Sequence, residues 1–111
     1  MNELLYRRLA EVARSGGVTH YGDVARLVGL NLANAADRRE LSGLLREISR
    51  HEHEHGRPLL SAVVIHVEGN MPGNGFFTLA TDLGLFEGED RRRYFTDELR
   101  RVHEQWRDRA E

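Results

Sequence analysis

The chain has 111 residues, enough for one hydrophobic core and too few for two. It contains no cysteine, which excludes disulfides, thiolate catalysis and cysteine-ligated zinc together. A net charge of -2 excludes a globally basic nucleic-acid binder, but residues 1–50 carry eight Arg against six acids while residues 51–111 carry eight Arg against twelve. Any surface that meets DNA must therefore be local and N-terminal.

The elements follow in chain order. A first helix is predicted over about residues 2–15, with Leu5, Leu9, Val12 and Ala13 on one face and "SGG" as its stop. Thr19 is the expected N-cap of a short second helix that places Tyr21, Val24, Ala25 and Val28 on one side and ends at Gly29. After the loop "LNLANAA", Asp37 and Glu40 have the spacing of a capping box ahead of Leu41, Leu44, Leu45 and Ile48. "LLSAVVIHV", residues 59–67, reads as a buried strand; "FFTLATDLG" fits a returning strand, which would form a wing, or a helix, which would leave the strand in need of another partner. A last helix over about residues 90–109 carries Phe95, Leu99, Val102 and Trp106 in one stripe, which closes the core or serves a homodimer or partner protein. Arg91, Arg92 and Arg93 open that helix, and Glu87, Glu89 and Asp90 are expected to compensate them.

The third helix carries the functional interest. At ~100° per residue, Arg39, Gly43, Arg46 and Arg50 lie across from the Leu/Ile stripe and cannot be core. Three guanidiniums along one ridge, with a glycine that lets a second backbone come close, suit a helix lying on phosphates. The competing explanation is a solvated face, because an amphipathic helix must put charge outward and this chain draws all sixteen of its basic residues from Arg.

"VTHYGDVARLVG" and "RRELSGLL" together resemble the DNA-binding half of the alkylguanine-DNA alkyltransferases and alkyltransferase-like proteins. In that family a "TYG-IA--G" helix precedes a minor-groove helix of the form "R-A-V-G-x-A-L", whose arginine holds open the space left by a flipped base. The resemblance implies that Thr19, Tyr21 and Gly22 match the first motif, that Arg39 is the finger, that Ser42 is the small residue facing DNA, and that Tyr21 stacks on or orients a nucleotide. It continues more weakly through "GRPLLSAVVI", where the family has "IPCHRVV", and "GNGFF", near its Gly-Gly-Tyr. The pattern "RPLLSAVVI" with "PGNGFF" also resembles uncharacterised bacterial proteins, which implies no activity.

The chain departs from the family where chemistry would occur. Pro58 matches the motif proline, but Leu59 stands where the acceptor Cys, or the Trp of alkyltransferase-like proteins, would be, and Leu60 and Ser61 replace the His and Arg after it. With no sulfur nucleophile, alkyl transfer is excluded. The third helix also runs on through "REISRHEHEHG", where the family turns early at Asn-Pro.

Three other features bear on chemistry. His51 and His55 lie at i, i+4 and could share a divalent ion, although the pattern is not HExxH, no third ligand is evident, and a polar helix end explains it as well. His20 and His66 could act as acid or base but have no partner identifiable in sequence. The Gly-rich "EGNMPGNG" lacks the Lys-Ser/Thr pair of a P-loop and reads as a wing tip or plain turn. No apolar run spans a bilayer and the polar start has no signal-peptide layout, so a cytoplasmic protein without membrane contact is expected.

The expectation is a single α+β domain over residues 1–111, mostly helical and helix-turn-helix or winged-helix-like. It comprises a helix-turn-helix core over 2–55, a strand and Gly-rich loop over 59–77, and the C-terminal helix over 90–109. Its expected function is non-catalytic DNA binding through Tyr21, Arg39, Ser42, Gly43, Arg46 and Arg50, regulatory or in damage recognition, with no cofactor. The alternatives are a protein-interaction or homodimerisation domain and, as an outsider, a metal-dependent enzyme at the histidines.

Overall fold

The computed structural model describes residues 1–107, so the expected last turn of the final helix at 108–109 lies outside the described residues. Helix α1 spans Glu3–Arg14 and begins where the Asn2 side chain accepts a hydrogen bond from Leu5 N at 2.9 Å. It ends where Gly16, at φ 75°, takes the left-handed conformation that only glycine adopts without steric cost. Strand β1 is Thr19–His20, followed at once by α2, Tyr21–Leu27. Thr19 thus pairs in a strand instead of capping α2, and His20 holds the N-cap position without a side-chain hydrogen bond.

Helix α3, Ala35–Glu54, starts earlier than the capping-box spacing predicts. Asn34 Oδ1 accepts from Ala36 N at 2.8 Å and Asp37 N at 3.2 Å, while the Asp37 carboxylate turns back to accept from Asn31 N at 2.9 Å. The two acceptors share the loop: one ends the helix, the other holds the turn before it.

The stretch read as a strand over 59–67 is mostly something else. Leu60–Val63 is a 3-10 turn, and only Val64–Ile65 is strand β2. β2 runs parallel to β1, with Thr19 opposite Val64 and His20 opposite Ile65. Helix α4 covers Asn74–Asp82, which settles the ambiguous "FFTLATDLG" as helical, and α5 covers Arg91–Arg107. The partner that β2 needs is therefore supplied by the same chain, upstream of α2, and the two-stranded parallel ladder is not a hairpin wing. The result is a mostly helical α+β domain with a Cα radius of gyration of 13.0 Å, close to the roughly 13 Å expected of one domain this long.

The 3-10 turn is the hub. Every side chain from Leu59 to Ile65 is buried, and α1, α3 and α5 all pack against this segment. That explains why its sequence is apolar without alternation: it has no solvent face. Leu5, Leu9 and Ala13 of α1, Leu41, Leu45 and Ile48 of α3, and Phe95, Val102 and Trp106 of α5 close around it. Leu99 packs against the same core, so the α5 stripe is used internally and is not a free docking surface.

Buried polar groups are matched where the backbone of the hub needs partners. Glu98, 3 % exposed, accepts from Leu59 N at 2.7 Å and is held on its other oxygen by Arg101 at 2.8 Å. Glu52 is fully buried on α3, paired in two bonds with Arg57 at 2.7 and 2.9 Å, and accepts from Tyr6 Oη at 2.8 Å. A carboxylate out of water survives only with such compensation.

Candidate nucleic-acid interface

The outer face of α3 is set by its inner one. Burial of Leu41, Leu45 and Ile48 fixes the rotation of the helix, and Arg39, Gly43, Arg46 and Arg50 are consequently all exposed. None of the three arginines makes an ion pair or a side-chain hydrogen bond among the described residues. Several other arginines are engaged, Arg26 with Asp23, Arg100 with Asp97, Arg57 with Glu52 and Arg101 with Glu98, whereas the exposed Arg7 and Arg93 side chains resemble the ridge in having no partner among the described residues. The field along the ridge is not uniform, because Arg50 borders a small surface cavity together with Glu47 and Glu54.

Gly43 lies in the middle of this row. A methyl group there would meet no atom within 4 Å, so the fold itself does not require glycine. In an exposed helix interior glycine is less favourable than alanine by about 1 kcal/mol.

Beside the ridge, between α3 and the start of α4, opens a cavity of about 260 Å³. Its walls are Leu41, Leu45, Phe76 and Leu79, and its polar lining is Tyr21, Arg38, Ser42, Arg46, Ser61, His66 and Asn74. This exceeds the roughly 150 Å³ that accommodates benzene in an engineered apolar cavity. Tyr21 forms one side: its Oη accepts from Gly73 N at 2.7 Å, and its ring lies 4.5 Å from the His66 ring, tilted by 32°. Burial pushes the Tyr21 hydroxyl above the ordinary 10.0, opposed by the Gly73 N–H, so it stays protonated at neutral pH.

Two glycines keep the wall close. A Cβ at Gly73 would lie 3.2 Å from His66 Nε2, and one at Gly75 would lie 3.0 Å from Ser42 Oγ. The segment is strapped from behind by Arg91, which donates to Asn74 Oδ1 at 2.8 Å and stacks 4.7 Å from the Phe77 ring centroid, and by Arg92, which donates to Gly69 O at 3.1 Å. These two arginines are thus held by the loop and α4, not by the preceding acids as expected.

With this geometry in place, no family model, no curated protein and no solved structure matches the chain. The reading of the site accordingly rests on the residues themselves.

The structure brings Tyr21, Ser42 and Arg46 to one cavity and leaves Arg39, Gly43 and Arg50 on the adjoining ridge. Leu59, at the position of the acceptor cysteine in the family that the sequence resembles, is fully buried and does not line the cavity. The paired histidines behave as a helix end: the His51 and His55 rings lie 4.3 Å apart and His55 Nδ1 is 2.9 Å from His51 O. Among the described residues no three His, Cys, Asp or Glu side chains converge on a metal position. His20 faces Asp23 at 3.9 Å on the surface.

Sequence reasoning misses Arg38, Ser61, Gly73, Asn74 and Gly75, and singles out His66 only as a candidate acid or base without a partner. His66 had no visible partner because Tyr21 is far upstream, and the two glycines were read as a turn. The only available signal was "PGNG" itself, two glycines flanking an amide just ahead of an apolar run. It says that space is tight, not what is nearby.

Proposed function

We propose that this protein is a non-catalytic DNA-binding module that lays α3 along a phosphate backbone and offers the α3–α4 cavity to a base displaced from the stack. The observation that carries the reading is the unpaired row Arg39, Arg46 and Arg50, with a glycine between them that the fold does not need. A partner backbone pressed against Gly43 would turn a local helix penalty into close approach, and the guanidiniums would release counterions from the DNA. Arg46 belongs to both ridge and cavity, which ties phosphate contact to base entry.

Alkyl transfer to the protein does not follow binding, because the chain has no thiol. Recognition alone suits a damage sensor, a regulator or an accessory to a larger assembly. The test is titration of a short labelled duplex at several salt concentrations. Binding should weaken steeply with salt, and Arg39→Ala and Arg46→Ala should each lower the slope of log K against log salt by about one. Absence of binding at low salt would overturn the proposal.

A further inference from the structure

The cavity contains a polar atom that the fold leaves half used. Ser61 lines it and is only 6 % exposed. Its Oγ accepts a hydrogen bond from Ser49 Oγ at 2.7 Å, and its backbone N–H returns one to Ser49 Oγ at 3.0 Å. Ser49 is fully buried, so this reciprocal pair fixes the position of Ser61. The two hydroxyls share a single hydrogen bond, so one of their two protons has no acceptor among the described residues, and Ser61, which lines the cavity where Ser49 does not, is the one that can present it there. The apolar side chains around it, Leu41, Leu45 and Leu79, cannot provide one.

Most of the remaining lining also donates, with the Ser42 hydroxyl and the His66 ring as the side chains that can accept as well. Tyr21 Oη accepts from Gly73 N and keeps its own proton, and Asn74 Oδ1 is taken by Arg91, leaving the Asn74 amide hydrogens. Arg46 can only donate, and no carboxylate lines the cavity. An entering group that brings N–H donors would meet an acceptor only at Ser42 or His66, whereas a carbonyl at Ser61 would satisfy a proton that is already buried.

We infer that Ser61, positioned by Ser49, is the specificity-determining donor of this cavity, and that the cavity selects a nucleobase that inserts a carbonyl acceptor at its leading edge. The inference rests on the reading of the cavity as a base site. It predicts discrimination against an apolar ring of identical shape, which fills the same walls but leaves the Ser61 proton unmatched.

The test uses the intact protein and two short duplexes, each with one extrudable residue opposite an abasic position so that extrusion is inexpensive. In one duplex the residue is thymine; in the other it is difluorotoluene, which keeps thymine's shape without its carbonyls. The unmodified protein should bind the thymine duplex about tenfold more tightly, and Ser61→Ala should bring the ratio to about one without changing the salt slope. Equal affinity of the unmodified protein for the two duplexes overturns the inference while salt-dependent binding keeps the DNA reading intact. A preference that survives in Ser61→Ala also overturns it, because another donor then does the selecting. Loss of all salt-dependent binding removes both. The comparison of duplexes on the unmodified protein holds even where Ser61→Ala fails to fold, which thermal melting would reveal.

Discussion

The two groups of arginines along and after α3 have opposite circumstances. Arg57 is locked in two bonds to a fully buried carboxylate and touches the Tyr6 hydroxyl system, whereas Arg39, Arg46 and Arg50 stand in solvent without an ion-pair partner among the described residues. The side chain is the same, so the difference lies in what each faces: Arg57 neutralises a charge the fold has removed from water, and the ridge forms no ion pair among the described residues. The first kind is needed for folding and the second is free for a partner.

The largest effect that would break this comparison is on stability. Arg57→Ala leaves Glu52 buried without its cation and with only the Tyr6 hydroxyl bond, and equilibrium unfolding in urea should show a loss of about 3–5 kcal/mol. The ridge should behave in the reverse sense. The triple substitution of Arg39, Arg46 and Arg50 by Ala should lower the salt slope of duplex binding by about three, while changing stability by no more than about 0.5 kcal/mol. A comparable loss of stability would mean the ridge is structural after all. Gly43→Ala sharpens the contrast: unfolding should show a gain of up to about 1 kcal/mol, and duplex binding should weaken, so stability and binding move apart at a single residue.

The smallest effect concerns pH. Burial, then Glu52, raises the Tyr6 hydroxyl above 10.0, and burial, then Glu98, raises that of Tyr94 further. Groups raised in the folded state contribute stability that is fully present below pH 10.0 and is lost as pH rises through the higher folded values. Stability should therefore fall above about pH 10 in an alkaline titration followed by circular dichroism. Tyr94→Phe should reduce that fall and, because the buried Tyr94 Oη has no hydrogen-bond partner among the described residues, should raise stability at neutral pH by up to about 1 kcal/mol.

The helices were legible in the sequence where one face had to be apolar. Leu41, Leu45 and Ile48 identify α3 and fix its rotation, which is why the positions of Arg39, Gly43, Arg46 and Arg50 could be read from spacing alone. Helix starts were less legible, because Asn34 and Asp37 are both competent acceptors and only the path of the loop decides which one caps. Residues 59–67 misled for a similar reason: full burial removes the alternation that separates strand from turn, so the 3-10 geometry had no signature. The cavity was legible only in part. Tyr21 and Ser42 stand in the stretches that carry the resemblance and Arg46 follows from helical spacing, but His66, Ser61 and Gly73 reach the site through tertiary packing that no local pattern encodes.

The bond from Glu98 to the Leu59 amide has a further consequence for how the domain can be divided. The carboxylate comes from the final helix and the amide from the middle of the chain, 39 positions apart, so the central turn is completed only when the C-terminal segment docks. Residues 1–55 therefore do not make up a unit that can be transplanted alone. Fusing that half to another protein would carry the arginines across without the support that holds their helix in place.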